Sequence, residues 1–246
     1  RFNLFSKHER LKSIIKDLEK SAFFRERGYA IFKINDLKTL DDLSLLFETE
    51  FPDVFENIFV SHFNDDFAKN KLVSNSILKI LKPEIDFHFN NYQSIIGHYV
   101  SKVNSNNEVF NLHQDWSYVD EEKYDVGHLW IPLMDVTIKN GCVFILEKTH
   151  MDGQLRSASF GINSTPLNES LEDKITTIEL KKGEFLFYHP ALFHGSYPNN
   201  TTIKRTAVVI PLADKNTPLY YYDKIDGRKN IRSDFFLKEH FLINQL

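Results

Sequence analysis

The residues of this sequence best suited to chemistry are a histidine and an aspartate two positions apart, His113 and Asp115. In an extended strand, residues i and i+2 point to the same side, so an imidazole and a carboxylate converge there. His194 can supply a third ligand from a distant strand. Two histidines and one carboxylate leave the opposite positions of a metal ion open, which suits a non-haem Fe(II) that must bind a co-substrate and O₂.

An arginine beyond His194 adds a fixed positive charge. Arg205 lies as far after the turn at 199–200 as His194 lies before it. We therefore expect both residues at the same depth, whether their strands pair or face each other across a sandwich. A guanidinium that faces an apolar interior needs a partner. That partner is either a carboxylate of the protein or the distal carboxylate of a keto acid such as 2-oxoglutarate, bound in bidentate fashion.

One long segment resembles a known family. Residues 183–205 read GEFLFYHPALFHGSYPNNTTIKR. They are similar to the signature of the phytanoyl-CoA dioxygenase-like family of Fe(II)/2-oxoglutarate oxygenases, with its His-Gly-Ser, its Pro-Asn turn and its arginine. The family's His-Gln-Asp is present at 113–115, and its Asn-Gly strand start at 140–141. Its later Ser/Thr-His pair appears as Thr149-His150, after Glu147-Lys148 where Pro-Gly is common. The resemblance covers residues 23–213.

The resemblance implies roles for individual residues. Fe(II) would be held by His113, Asp115 and His194, and Arg205 would bind the distal carboxylate of 2-oxoglutarate. Positions that face the co-substrate are matched by Ser196, Trp130 and His98, and the alternative for His98 is a core histidine that is hydrogen-bonded within the protein. Gln114 matches a substrate contact. Trp116 and Tyr118 either form a wall of the substrate pocket or make ordinary packing contacts. Lys102 either shares the inward strand face of His98 or lies at a solvated strand end.

The activity implied is that of a dioxygenase using Fe(II), 2-oxoglutarate and O₂. Such an enzyme releases succinate and CO₂ and hydroxylates an unactivated C–H bond, here of a small molecule, an amino acid or a peptide. A halogenase of the same family is excluded, because it needs Gly or Ala where this chain has Asp115. Two alternatives stay open. They are a metal-dependent jelly-roll protein without a keto acid, against which Arg205 argues, and a non-catalytic protein that keeps the fold.

Length and composition exclude several classes of protein. A chain of 246 residues suits one large domain, and 42% hydrophobic residues with 22 Phe are not typical of disorder. The net charge of −4 does not favour nucleic acid as a partner. No apolar run approaches the ~18 residues that span a membrane. A single cysteine, Cys142, suits a reducing compartment, so we expect a cytoplasmic protein. The start, Arg1-Phe2-Asn3, lacks a signal-peptide pattern.

The periodicity predicts helices first and strands later, mostly β with α. We expect helices at 6–27 (capped by Ser6 and Glu9), 39–50, 65–82 (ending before Pro83) and 84–91. A short strand is expected at 29–34, and others at 93–103, 108–113, 126–136, 142–147, 176–180, 184–189 and 203–212. By resemblance the fold is a double-stranded β-helix, a jelly roll with N-terminal helices packed outside. One domain is expected, with a mainly helical layer (1–91), a β-core holding the metal (92–213) and a C-terminal extension (214–246).

Other segments are less specific. Residues 148–175 show no periodicity, and their length predicts a binding loop or a lid. The acidic run Asp120, Glu121, Glu122 and Asp125 predicts a solvated loop or an attraction for a cationic substrate. The remaining histidines show no partner pattern: His8, His62, His88, His128, His189 and His240. The oligomeric state is not readable.

Overall fold

The computed structural model describes residues 13–54, 58–104, 109–116, 118–121, 123–152, 164–165, 169–219, 221–225 and 229–233. Within these ranges it contains four α-helices: α1 (Leu18–Arg27), α2 (Lys38–Glu50), α3 (Phe67–His88) and α4 (Glu169–Glu172). Short 3-10 turns occupy Ser61–Phe63 and Thr149–Asp152. None of the helices described is both long and apolar enough to cross a membrane.

The described strands form two main sheets and a separate hairpin, all antiparallel. They are β1 (Tyr29–Lys33), β2 (Ile58–Val60), β3 (Tyr92–Ser94), β4 (His98–Lys102), β5 (Phe110–His113), β6 (Val126–Pro132), β7 (Val143–Ile145), β8 (Ser164–Thr165), β9 (Thr176–Ile178), β10 (Glu184–Tyr188), β11 (His194–Ser196), β12 (Arg205–Asp214), β13 (Tyr221–Ile225) and β14 (Lys229–Ser233). The large sheet has the order β1-β10-β6-β12-β4-β2, with β3 beside β12. The small sheet has the order β8-β5-β11-β7-β9, and β13 pairs β14.

From β4 to β12 the chain alternates between the two main sheets, except that β7, β8 and β9 all enter the small one. In chain order, β4, β6, β10 and β12 enter the large sheet, whereas β5, β7, β9 and β11 enter the small one. This confirms the predicted double-stranded β-helix.

The strand β12 is buried on both faces, which explains its continuous apolar run. Ala207 and Val209 face the small sheet, where they belong to one apolar cluster with Val143. Val208 and Ile210 belong to a second cluster, which includes Leu40, Leu43 and Phe47 of α2 and Val73, Ile77, Leu81 and Ile85 of α3. Because alternate residues of a strand point to opposite faces, Arg205 shares the inner face of Ala207 and Val209.

The first predicted helix is too long. The helix begins at Leu18, where the Asp17 side chain accepts a hydrogen bond from the backbone of Lys20, and it ends as predicted at Gly28, which has φ +89°. Ile15 instead makes a β-bridge with Phe89. The tertiary pairing therefore overrides the helical periodicity at 13–17. The expected cap at Ser6 and Glu9 lies outside the described residues.

The predicted break at Pro83 is also wrong. Helix α3 continues through Pro83 as far as His88. Leu81 and Ile85, on either side of the proline, are both buried, whereas Pro83 itself is exposed. The carbonyl that loses its helical partner can therefore bind water, and burial of the apolar stripe outweighs the loss of one hydrogen bond.

The predicted strand at 93–103 is interrupted at residues 95–97. There the backbone N–H of Gly97 donates to Ser74 Oγ at 3.0 Å. A Cβ at Gly97 would lie 2.7 Å from the side chain of Ile77. The close approach of α3 therefore divides the strand into β3 and β4.

The acidic run is not a solvated loop. Asp120, Glu121 and Asp125 are buried, and Glu122 lies outside the described residues. Asp125 Oδ2 accepts a hydrogen bond from the backbone N–H of Ile14 at 2.9 Å, which joins the start of the described chain to the β-core. Burial raises the pKa of Asp125. The prediction failed because the partner of Asp125 is distant in sequence.

The segment 148–175 is only partly described. Residues 153–163 and 166–168 lie outside the described residues, so the predicted lid stays a prediction. Lys148 has a positive φ of 69°, at the position where glycine is common in the family. Strand β8 pairs with β5 so that Ser164 lies opposite His113. This part of the predicted loop is therefore a neighbour of the strand that bears the first histidine.

Candidate metal centre

Cross-strand pairing places the two predicted histidine ligands side by side. His194 of β11 lies opposite His113 of β5, and their ring centroids are 4.2 Å apart. The backbone N–H of Asp115 donates to the carbonyl of Pro190 at 2.9 Å, which holds Asp115 near the start of β11. Asp115 Oδ1 is 3.6 Å from Nε2 of each histidine. The ligand atoms of these three residues all lie within 4.8 Å of one another.

Backbone carbonyls orient both imidazoles. His113 Nδ1 donates to the carbonyl of Asn111 at 2.8 Å, and His194 Nδ1 donates to that of Leu192 at 2.9 Å. A carbonyl only accepts, so the proton is on Nδ1 and the lone pair is on Nε2. Both lone pairs are therefore available beside Asp115 Oδ1, as metal ligation requires.

The second carboxylate oxygen of Asp115 is held by two side chains. Oδ2 accepts hydrogen bonds from His128 Nδ1 at 2.7 Å and from the Tyr188 hydroxyl at 2.5 Å. Burial opposes ionisation, but the neighbouring imidazoles of His194, His113 and His128 hold the pKa of Asp115 well below its usual range. The carboxylate is thus ionised and fixed, with Oδ1 next to the two histidines.

The donor set fits Fe(II). Burial, with a contribution from His113, lowers the pKa of His194 to about 4, so its imidazole is neutral at pH 7. Neutral imidazole and ionised carboxylate are the forms that bind divalent metals. Two imidazoles and one carboxylate on one side of the ion leave its other positions for a co-substrate and O₂.

The arginine predicted to bind a keto acid is buried next to the same space. Arg205 is 4% exposed, and its guanidinium lies 5.4 Å from the ring centroid of Trp130. Within the described part of the chain, Arg205 forms no ion pair with a carboxylate, and its Nε has no hydrogen-bond partner. Burial lowers its pKa to about 10, which still leaves the group charged at pH 7. The arrangement fits a carboxylate that enters from the cavity.

One cavity of about 160 Å³ joins these residues. Its lining includes the triad, and also Arg205, Ser196, Trp130, His98, Trp116 and Tyr118 among the predicted site residues. Lys102, Val100 and His98 project into it from alternate positions of β4. Lys102 lies opposite Arg205 in the sheet, and His98 lies opposite Val209. The two cations therefore mark one end of the cavity, and His98 lies about four residues, roughly 13 Å, further along the strands.

The structure decides between the two alternatives for Lys102, which shares the inward face of His98, and it places Gln114 away from the expected position. Lys102 is not a solvated strand end, because it is 1% exposed and its ammonium donates to Ser196 Oγ at 3.2 Å and to the Tyr197 carbonyl at 2.7 Å. Gln114 is not part of the cavity lining. Its amide nitrogen donates to the carbonyl of Ala191 at 2.7 Å. Gln114 lies between His113 and Asp115 in sequence, so an extended backbone turns it to the opposite side.

Three polar side chains among the described lining residues were missed by the sequence analysis: His128, Tyr188 and His62. His128 lies two residues before Trp130 on β6, and Tyr188 lies opposite His128 in the sheet. Strand alternation from the inward-facing Trp130 was a signal that could have found His128. His62 lies in a 3-10 turn after β2, which was not predicted, so no periodicity pointed to it.

Comparison with known sequences identifies one family. The sequence profile described as phytanoyl-CoA dioxygenase (PhyH) matches residues 5–207. A phytanoyl-CoA dioxygenase of Arabidopsis thaliana is 31% identical over 108 residues, which cover 42% of this chain and 38% of that protein. The peroxisomal phytanoyl-CoA dioxygenase of Homo sapiens is 29% identical over 133 residues, which cover 50% of this chain and 38% of that protein. The match thus spans less than two-fifths of the length of either relative.

Solved structures share the fold. HygX from Streptomyces hygroscopicus, with nickel and 2-oxoglutarate bound, superposes with a TM-score of 0.54 and 13% identity, covering 81% of this chain and 88% of HygX. The epimerase SnoN in complex with Fe3+, alpha ketoglutarate and nogalamycin RO gives a TM-score of 0.57 and 12% identity, covering 82% of this chain and 84% of SnoN. At these identities the likeness concerns the fold.

Proposed function

The chain belongs to the phytanoyl-CoA dioxygenase family, and on this premise we propose that it is an Fe(II)- and 2-oxoglutarate-dependent oxygenase. We assign the metal to His113, Asp115 and His194, and the distal carboxylate of 2-oxoglutarate to Arg205. The observation that carries the proposal is the meeting of both groups in one cavity. A structural ion pair would give Arg205 a protein carboxylate, and none of the described residues supplies one.

The protein's residues bind and orient the metal and the co-substrate, and they exclude water from the cavity. When bound, Fe(II) with 2-oxoglutarate and O₂ supplies the oxidation of an unactivated C–H bond, with release of succinate and CO₂. Arg205 fixes the co-substrate by its far end, and Trp130 covers the face of the guanidinium. Ser196, whose Oγ is held by Lys102, lines the same end. His128 and Tyr188 hold Asp115 in place.

We propose a small-molecule or peptide substrate for the rest of the cavity. Trp116 and Tyr118 line the cavity, which supports the first of the two alternatives, a wall of the substrate pocket, over ordinary packing. SnoN and HygX, which share the fold, have been crystallised with nogalamycin RO and hygromycin B respectively, which supports a small molecule. A cytoplasmic location is part of the proposal. It rests on the single cysteine, Cys142, which is buried.

The test is an anaerobic titration of the protein with Fe(II), followed by 2-oxoglutarate. A weak visible charge-transfer band should appear only when both are present, because the keto acid must chelate the metal. Slow, Fe(II)-dependent succinate formation should follow when O₂ is admitted. Metal binding without the band would favour a jelly-roll protein that uses no keto acid. Absence of metal binding would favour a non-catalytic protein.

A further inference from the structure

A buried lysine lies beside Arg205 at the cationic end of the cavity. Lys102 is directly opposite Arg205 in the sheet, and both residues line the cavity. Lys102 is 1% exposed. Burial at this depth costs a lysine the hydration of its charge and the rotational freedom of its long side chain. The surrounding fold must therefore hold this side chain by specific contacts.

The fold holds Lys102 along its whole length. Its backbone carbonyl accepts a hydrogen bond from Asn199 Nδ2 at 2.8 Å. Its stem passes Gly141, which has a positive φ of 89°, and a Cβ there would lie 3.4 Å from Lys102 Cδ and 2.9 Å from the Tyr197 carbonyl oxygen. Its ammonium donates to the carbonyls of Tyr197 and Ser196 at 2.7 and 3.5 Å, and to Ser196 Oγ at 3.2 Å. The ammonium is thus fixed beside the Ser196 hydroxyl.

This contact sets the direction of the Ser196 hydroxyl. An ammonium only donates, so Ser196 Oγ must be the acceptor, and the hydroxyl proton points away from Lys102. Ser196 lies two residues after His194 on β11, so both side chains project to the same side of the strand. Both residues line the cavity. Ser196 therefore directs its O–H donor towards the space that Arg205 also lines.

We propose that Lys102 is a positioning residue for the co-substrate, because it fixes Ser196 as a hydrogen-bond donor to the far carboxylate of 2-oxoglutarate. A carboxylate only accepts, so a hydroxyl that is made to donate in its direction suits it. Without Lys102 the hydroxyl would be free to rotate, and a lone pair turned to the carboxylate repels it. This inference rests on the proposed function, since it names a further residue of the same site.

The contacts of Lys102 favour this indirect role over direct binding of the carboxylate. An ammonium has three N–H donors. The carbonyls of Tyr197 and Ser196 and the Ser196 hydroxyl supply three acceptors for them within the protein. The effect of Lys102 on the co-substrate should therefore pass through Ser196.

The test compares two keto acids by calorimetric titration of the full chain loaded with Mn(II). 2-Oxopentanoate has the carbon chain of 2-oxoglutarate with a methyl group in place of the far carboxylate, and it keeps the end that chelates the metal. Lys102→Met should weaken 2-oxoglutarate binding roughly tenfold, as a hydrogen bond to a charged group contributes. The affinity for 2-oxopentanoate should stay within about twofold. Equal weakening of both keto acids would show a merely structural lysine and overturns the proposal.

A double-variant cycle tests the route through Ser196. Ser196→Ala should weaken 2-oxoglutarate binding by a factor similar to that of Lys102→Met. Adding Lys102→Met to Ser196→Ala should then change the affinity by no more than about twofold, because the residue on which Lys102 acts is already gone. Two effects that multiply would mean that Lys102 acts independently of Ser196, and they overturn the proposal.

Two further variants keep the test decisive. Lys102→Gln offers the Ser196 proton an acceptor, so it should weaken 2-oxoglutarate binding as Lys102→Met does. Lys139→Met, at an exposed position, is the matched control and should bind both keto acids as the wild type does. If neither variant of Lys102 folds, Ser196→Ala decides. Its unchanged affinity for 2-oxoglutarate overturns the proposal, and a loss confined to 2-oxoglutarate supports it.

The result is distinguishable from failure of the proposed function. A wild-type protein that binds 2-oxoglutarate no more tightly than 2-oxopentanoate has no site for the far carboxylate, and both proposals then fail. A wild-type protein that prefers 2-oxoglutarate, with the preference intact in Lys102→Met, keeps the proposed function and overturns only the role of Lys102.

Discussion

His128 Nδ1 donates to Asp115 Oδ2 at 2.7 Å, while Asp115 Oδ1 is the oxygen 3.6 Å from both histidine Nε2 atoms. His128, together with the Tyr188 hydroxyl that also donates to Oδ2, therefore fixes the rotation of the carboxylate. Because Oδ2 is held in this way and Oδ1 faces the two histidines, we expect metal affinity to depend on His128, although His128 is not itself one of the clustered ligands.

We expect His128→Leu to weaken Fe(II) binding by about 10- to 100-fold, the usual cost of losing a residue that orients a ligand. His128→Asn should recover part of the loss, because its amide N–H can replace the Nδ1 donor. Metal titration of the two variants beside the wild type, with Mn(II) as an air-stable probe, provides the measurement. Equal affinities in all three proteins would show that Tyr188 alone orients Asp115.

Removal of any member of the triad should abolish turnover of 2-oxoglutarate. Asp115→Ala deletes a ligand and a negative charge, and His113→Ala and His194→Ala each delete an imidazole. Succinate formation at saturating Fe(II) and 2-oxoglutarate should fall to background in each variant. Asp42→Ala, at an exposed position of α2, is the control and should retain wild-type turnover. Full turnover with iron bound in all three triad variants would contradict the assignment of the metal.

The variant Arg205→Ala should weaken 2-oxoglutarate binding with little effect on metal affinity. Losing one side of a desolvated charge pair costs about 2–5 kcal/mol, which corresponds to roughly 30-fold to several-thousand-fold weaker binding. Arg205→Lys should recover only part of this, because an ammonium lacks the planar fork. Calorimetric titration with the metal and with 2-oxoglutarate measures the two affinities separately. Arg27→Ala, at a half-exposed position, is the control. Unchanged 2-oxoglutarate affinity in Arg205→Ala would remove the main argument for this co-substrate.

A methyl group at Gly195 should disturb the metal centre through packing. A Cβ there would lie 2.4 Å from the Phe110 carbonyl oxygen and 2.6 Å from the Phe144 ring. Gly195→Ala should therefore push β11 away from β5 and destabilise the protein by about 1–3 kcal/mol. Since β11 bears His194, metal affinity should fall as well. Thermal unfolding and Mn(II) titration measure the two effects, and a variant unchanged in both would mean that β11 can shift freely.

Asp125 should make stability depend on pH in the acidic range. Its folded pKa is raised by burial, so the folded state binds a proton more readily than the unfolded state. The resulting stabilisation is present below the ordinary carboxyl pKa and is lost as pH rises through the raised value. Asp125→Asn keeps the shape and an oxygen for the Ile14 N–H without the charge. We expect the melting temperature of the variant relative to wild type to increase from acidic to neutral pH, whereas a difference constant with pH would contradict the raised pKa.

The sequence alone was enough to predict the features that depend on local spacing. His113 and Asp115 converge because residues two apart on an extended chain share a side. Arg205 faces inward for the same reason, because it lies two and four residues before Ala207 and Val209 and shares their face. The end of α1 at Gly28 follows from the freedom of glycine to adopt a positive φ. The alternating strands and the family resemblance together predicted the jelly roll.

Only the tertiary structure decided which residues surround the candidate metal centre. Strand alternation could give the direction of His128 but not its contact with Asp115. Tyr188 and His62 reach the cavity because strands and turns far apart in sequence are neighbours in the fold, and no local pattern encodes such a contact. Asp125 accepts a hydrogen bond from the N–H of Ile14, which lies 111 residues away along the chain. Its burial therefore depends on a contact that no local pattern predicts. Helix α3 passes through Pro83 because its buried face offsets the lost hydrogen bond. Local spacing sets which way a side chain points, but packing between distant elements sets what it meets.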